Sequence, residues 1–129
     1  MFDKIKNEKL FKQINSVMEL TKSQKKIARE LISTGLQREC KTFLEKIETF
    51  MQNPRYKADN PHEVYLKLYK KVAAFDKHIA RRYNGMIGSR YYITVLSLFV
   101  DKVLSLEDIA AFDEETQNGL IKLAKTFEE

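Results

Sequence analysis

The stretch NPHEVYLKLYKKVAAFDKHIARRYNG, Asn60 to Gly85, decides the fold class of this chain. It opens on a helix start: Asn60 is placed to cap, Pro61 takes the first helical position, and Glu63 follows three residues after the cap. At about 100° per residue, Val64, Leu68, Val72, Phe75 and Ile79 then share one quadrant, while Lys67, Lys70, Lys71, Lys77, His78 and Arg81 lie opposite. Asn84-Gly85 supplies the positive dihedral of a helix stop. The spacing predicts a helix over 61–84 with a core face backed by a basic face.

Outward from this helix the same period continues. Residues 90–104 carry apolar side chains at Ile93, Val95, Leu96, Leu98, Phe99, Val100, Val103 and Leu104, which leaves no wide face for water and marks this segment as the buried central helix. Ser89 is placed to cap it. Ser105 and Asp108 read as the cap of a short helix to about Phe112, and Asp113 begins a last helix with Leu120, Ile121, Leu123, Ala124 and Phe127 inward. On the other side, Thr21 with Gln24 reads as a capping box. The helix it starts carries Ile27, Leu31, Leu36, Cys40, Phe43, Leu44, Ile47, Phe50 and Met51 as its stripe and ends at Asn53-Pro54, with a possible kink at Gly35. A further amphipathic segment, residues 3–19, holds Ile5, Leu10, Ile14, Val17 and Met18 near one side, joined by Phe2. With only four glycines and two prolines in 129 residues and no alternating segment, the expected fold is all-α: a single irregular bundle of about five helices, one domain over 1–129.

Composition narrows the function classes. The lone Cys40 excludes an internal disulfide, and the start Met-Phe-Asp-Lys-Ile-Lys lacks a secretory apolar run, so a cytoplasmic location is expected. The longest apolar stretch, Tyr91 to Val100, falls well short of the roughly 20 residues of a membrane helix, so no membrane association is expected. The net charge of +5 is unevenly spread: segments 21–60 and 61–92 carry +4 and +5, whereas 93–129 carries −5. Such asymmetry attracts acidic partners, or lets the acidic end cover the basic faces.

Three constellations carry whatever chemistry the chain has. Lys67, Lys70, Lys71, Lys77 and Arg81, continued by Arg82, Arg90 and Tyr91 around the 84–92 turn, form a candidate surface for an anionic ligand or partner, because guanidinium groups grip phosphate and aromatic rings stack on bases. Asp76, Arg82, Arg90 and Tyr83 are the candidates for a buried polar network or a small polar pocket. Residues 23–40 invite a helix-turn-helix reading, but their apolar spacing continues one long helix. His62 and His78, the only histidines, occupy no metal-binding spacing, and Cys40 lies on an apolar stripe, so no metal, cofactor or nucleophilic enzyme is expected. The leading expectation is a small non-enzymatic interaction or regulatory module with a protein partner. Nucleic-acid or phosphate binding is the alternative, and an enzyme with a pocket at Asp76 a distant third. Oligomeric state is left open.

Overall fold

The computed structural model describes residues 20–53, 60–86 and 90–128. Five helices and no strand occur among them: α1 (Lys22–Gln52), α2 (Pro61–Tyr83), α3 (Arg90–Val100), α4 (Leu106–Ile109) and α5 (Glu114–Glu128). The fold is all-α, as the spacing predicts. The segment 3–19, the interior of the 53–61 loop and the Ser89 cap lie outside the described residues.

Local chemistry sets the helix starts. Thr21 and Gln24 form the capping box: the Thr21 hydroxyl accepts from the Gln24 amide at 3.2 Å, and the Gln24 side chain accepts from the Thr21 amide at 3.2 Å. At α2 the Asn60 side chain accepts from the His62 amide at 2.8 Å, with Pro61 in the first turn. Ser105 and Asp108 cap α4 reciprocally, and the Asp113 carboxylate accepts from the Thr116 amide at 2.8 Å to start α5. α1 runs through Gly35 without interruption.

The chain divides into two compact units, residues 1–35 with 85–129, and residues 36–84. The first holds nearly all of the described core. α3 presents Tyr92, Thr94, Val95, Leu96 and Leu98 to the interior and is the buried helix of this unit. Ala28, Leu104, Ile109, Phe112, Leu120, Leu123 and Ala124 join it. Two boundaries differ from expectation. α3 ends at Val100, not Leu104, because the chain turns there through Lys102 at φ 62°. The amide of Val103 donates to Leu98 O at 2.9 Å and that of Lys102 to Phe99 O at 3.1 Å, a Schellman closure whose left-handed residue is a lysine. Phe127, expected inward, is exposed.

The second unit is a hairpin of the Leu36–Gln52 part of α1 and the whole of α2. Phe43 stacks on Phe75 with ring centroids 4.1 Å apart, and the Lys71 ammonium lies 5.0 Å over the Phe50 ring. Residues early in one helix thus meet residues late in the other, so the pair is antiparallel. Among the described residues of this unit, Phe50 alone is buried. Val64, Leu68, Phe75 and Ile79 are half-buried as a core face, but Val72, expected with them, is exposed.

Candidate interaction surface

The polar centre of the hairpin is Glu39. Its side chain is only 11% exposed, and it gathers three donors from the far end of α2: Tyr83 Oη at 2.7 Å and Arg82 Nη1 at 2.8 Å on Oε1, and His78 Nε2 at 2.5 Å on Oε2. Burial pushes the Glu39 carboxyl up, but the hydrogen bonds from Tyr83, Arg82 and His78, with the Arg82 charge, outweigh it and hold the carboxyl below its usual range. The same burial and the Glu39 charge push the Tyr83 phenol up. Tyr83, Arg82 and His78 each reach a Glu39 carboxylate oxygen, so the arrangement is an electrostatic clamp between two helices.

This corrects the expected network. Arg82 and Tyr83 do enter a partly buried polar cluster, but its carboxylate is Glu39, and Asp76 is exposed. The reason lies in the helix face. Asp76 falls between Tyr69 and Tyr83 on an apolar side of α2 that nothing described covers, so its carboxylate keeps its water. A pocket at Asp76 loses its basis with that exposure. His78, expected on the solvent face with the lysines, turns to Glu39. Arg90 and Tyr91 belong to the other unit, where both are half-buried. There the Arg29 guanidinium lies 5.3 Å over the Tyr91 ring and its Nε donates to Tyr91 Oη at 3.4 Å.

Of the remaining basic candidates, Lys67, Lys70, Lys77 and Arg81 are exposed along the outer side of α2, and Lys71, also exposed, leans over Phe50. Beside this row lies a feature that the sequence reading passed over. Leu44 is 64% exposed, Tyr65 56% and Tyr69 63%, with Met51 and Val72 each at 46%. Leu44 and Met51 sit one heptad apart on α1, and Tyr65, Tyr69 and Val72 sit at i, i+4 and i+7 on α2. On each helix the stripe is displaced by about a quarter turn from the side that meets the other helix, in the same rotational sense along the chain. Because the helices are antiparallel, equal senses of displacement bring both stripes to the same side of the hairpin. The result is a largely apolar face across two helices, with Tyr65 and Tyr69 on its α2 side and the exposed Asp76 carboxylate between them on the wheel.

Comparison of the chain with family models, with curated proteins and with solved structures finds no match. No helix among the described residues is long and apolar enough to cross a membrane.

Proposed function

We propose that the protein is a non-enzymatic helical interaction module that docks a protein partner on the apolar face of the α1–α2 hairpin. The observation that carries this reading is the imbalance between burial and exposure in residues 36–84. Among its described residues the hairpin has a single buried side chain, Phe50, yet it shows Leu44, Met51, Tyr65, Tyr69 and Val72 to solvent on one side. Helices gain most of their stability from packing an amphipathic face, and contiguous exposed apolar surface of several hundred Å² marks interaction sites. Tyrosine suits such a face because it joins a large apolar ring to a polar tip.

Nucleic-acid binding would draw on the exposed basic side chains of α2, Lys67, Lys70, Lys71, Lys77 and Arg81, while Arg82 also holds Glu39 and Arg29 lies over the Tyr91 ring. The test is affinity capture with the intact chain and with a Leu44→Glu, Tyr69→Glu variant whose helicity is checked by circular dichroism. A protein held in stoichiometric amount by the parent chain and lost by the variant is the expected result. Equal capture by both overturns the placement.

A further inference from the structure

We infer that the side of the hairpin opposite the apolar face binds the phosphate backbone of a nucleic-acid duplex, without reading its sequence. The inference goes beyond the protein-docking reading, because it uses other residues and is tested apart from it.

Basic residues gather on one side of both helices. On α2 the arc that leads from the packed side away from Tyr69 carries Lys71, Lys67, Arg81, Lys70 and Lys77 in turn, and all five are exposed. On α1 the arc displaced in that same sense carries Lys46, Thr42, Thr49 and Arg38, also exposed. Equal senses on antiparallel helices share a side, so the two arcs form one face. The heights agree as well. Lys46 lies between Phe43 and Phe50, which are level with Phe75 and Lys71, so it stands beside the Lys70 to Lys77 stretch of α2. The acidic residues of this side are peripheral or engaged: Glu45 is at the outer edge of the α1 arc beyond Arg38, Glu63 precedes Lys67 by one turn at the start of α2, and Glu39 is turned to Tyr83, Arg82 and His78.

Charge complementarity calls for a polyanion, and the uncharged residues of the face decide which. From Lys71 round to Lys77 the α2 arc holds only His78 and Ala74 besides its charged residues, and Leu66 lies past its outer edge. A protein interface needs an apolar centre, and a helix lying on an anionic membrane inserts large apolar side chains beside its lysines; this arc has neither. Single strands are held by bases stacked on aromatic rings, but Tyr65, Tyr69 and Tyr83 all lie on the other side of α2. A duplex needs none of these. Lysine, arginine and threonine side chains on its phosphates provide affinity and orientation and carry no sequence information. Lys67 to Arg81 spans about 21 Å at 1.5 Å per residue, roughly six base-pair steps of 3.4 Å, so successive side chains meet successive phosphates.

The test is fluorescence anisotropy with the intact chain and a labelled mixed-sequence duplex of about 20 base pairs at about 50 mM salt, repeated with one strand alone and with vesicles of phosphatidylserine and phosphatidylcholine. Lys46→Glu with Lys70→Glu reverses the face. Lys122→Glu with Lys125→Glu, both exposed on α5 in the other unit, makes the same change in net charge elsewhere. All four positions are exposed, and circular dichroism confirms helicity. The parent chain should bind the duplex more tightly than the strand, with affinity falling steeply as salt rises. Reversal on the face should weaken binding at least about 10-fold and flatten the logarithmic salt slope by about 2, near 0.9 for each lost contact. Reversal on α5 should leave the slope unchanged and the affinity within about 3-fold. No duplex complex at that salt, equal losses from the two reversals, tighter binding of the strand, or binding of the vesicles without the duplex each overturns the inference. A chain that holds a protein on the apolar face yet ignores the duplex overturns this inference alone and spares the docking reading.

Discussion

Tyr92 and Gly119 make a two-residue experiment on the packing of the first unit. Tyr92 is 2% exposed, its hydroxyl has no hydrogen-bond partner among the described residues, and burial pushes its phenol up to about 12. A buried hydroxyl without a partner carries a desolvation penalty of about 1–3 kcal/mol. Tyr92→Phe removes that oxygen and keeps the ring, so the variant should be more stable by about 1 kcal/mol, or roughly 4 °C in Tm for a chain of this length. Gly119 lies on α5 opposite the same oxygen: a Cβ there would stand 3.1 Å from Tyr92 Oη. Gly119→Ala alone gains ~1 kcal/mol of helix propensity but meets a hydroxyl on a ring that is packed on all sides, and overpacking costs about 1–3 kcal/mol. It should come out neutral or destabilising. With phenylalanine at 92 the obstructing oxygen is gone, and the same alanine should stabilise by about 1 kcal/mol. The thermodynamic cycle, measured by urea unfolding of the four proteins, should therefore show a coupling of roughly 1–2 kcal/mol. Refutation is equally clear. Loss of stability on Tyr92→Phe would mean that the hydroxyl is bonded, and additivity within about 0.5 kcal/mol would mean that Gly119 and Tyr92 do not meet.

Three further outcomes follow from the fold and the hairpin. Lys102 adopts φ 62°, where a side chain is strained, so Lys102→Gly should raise stability by about 1 kcal/mol, read from the denaturation midpoint; a loss would show that the turn is not left-handed. Glu39→Gln removes the charge on which Tyr83, Arg82 and His78 converge and should cost about 2 kcal/mol near neutral pH. Because the Glu39 carboxyl is held below the ordinary range of a glutamate, its contribution is present above that range and is lost as pH falls through the depressed value. Acid unfolding should therefore separate parent from variant above about pH 4.5 and bring them together below it, whereas a constant gap down to strong acid would remove Glu39 from the account. If the row Lys67, Lys70, Lys77 and Arg81 binds duplex nucleic acid, affinity should fall with salt at a logarithmic slope of roughly −0.9 per phosphate contact, and charge reversal of Lys70 and Lys77 should flatten it; absence of any complex at low salt discards that reading.

The helices were legible in the sequence because their signals are local. Thr21 with Gln24, Asn60 with Pro61, and Ser105 with Asp108 each satisfy free amides within one turn, so their chemistry is visible in four adjacent letters. The exception is informative: α3 stops at a lysine in the left-handed region, and Asp101-Lys102 carries no glycine to announce it. The polar cluster was half legible. Arg82 lies near Val64 and Phe75 on the wheel, which marks it for burial, but its partner is Glu39, 43 residues away. A usable signal was present, since Glu39 shares the stripe of Phe43 and Phe50 as the acidic residue among apolar neighbours. The apolar face was misread for a different reason. A wheel separates apolar from charged sides without saying which apolar side is covered, and α2 has more apolar arc than α1 covers. Val72 and Asp76 lie on that excess, which is why one is exposed where a core residue was expected and the other keeps its water. Gln24 shows the same limit at another scale. Beyond its own capping box it donates to the Asp113 carboxylate and, at 3.0 Å, to Thr116 Oγ1, which ties the start of α1 to the start of α5.

The most direct test of the central claim is site-specific photocrosslinking from the hairpin face in living cells that express the chain. A benzophenone amino acid at Tyr69, 63% exposed on the face, should give a discrete crosslinked species on irradiation. The same probe at Glu114, exposed in the other unit, should give none. No crosslink from Tyr69, or the same species from both positions, would contradict the claim that this face is where the protein docks.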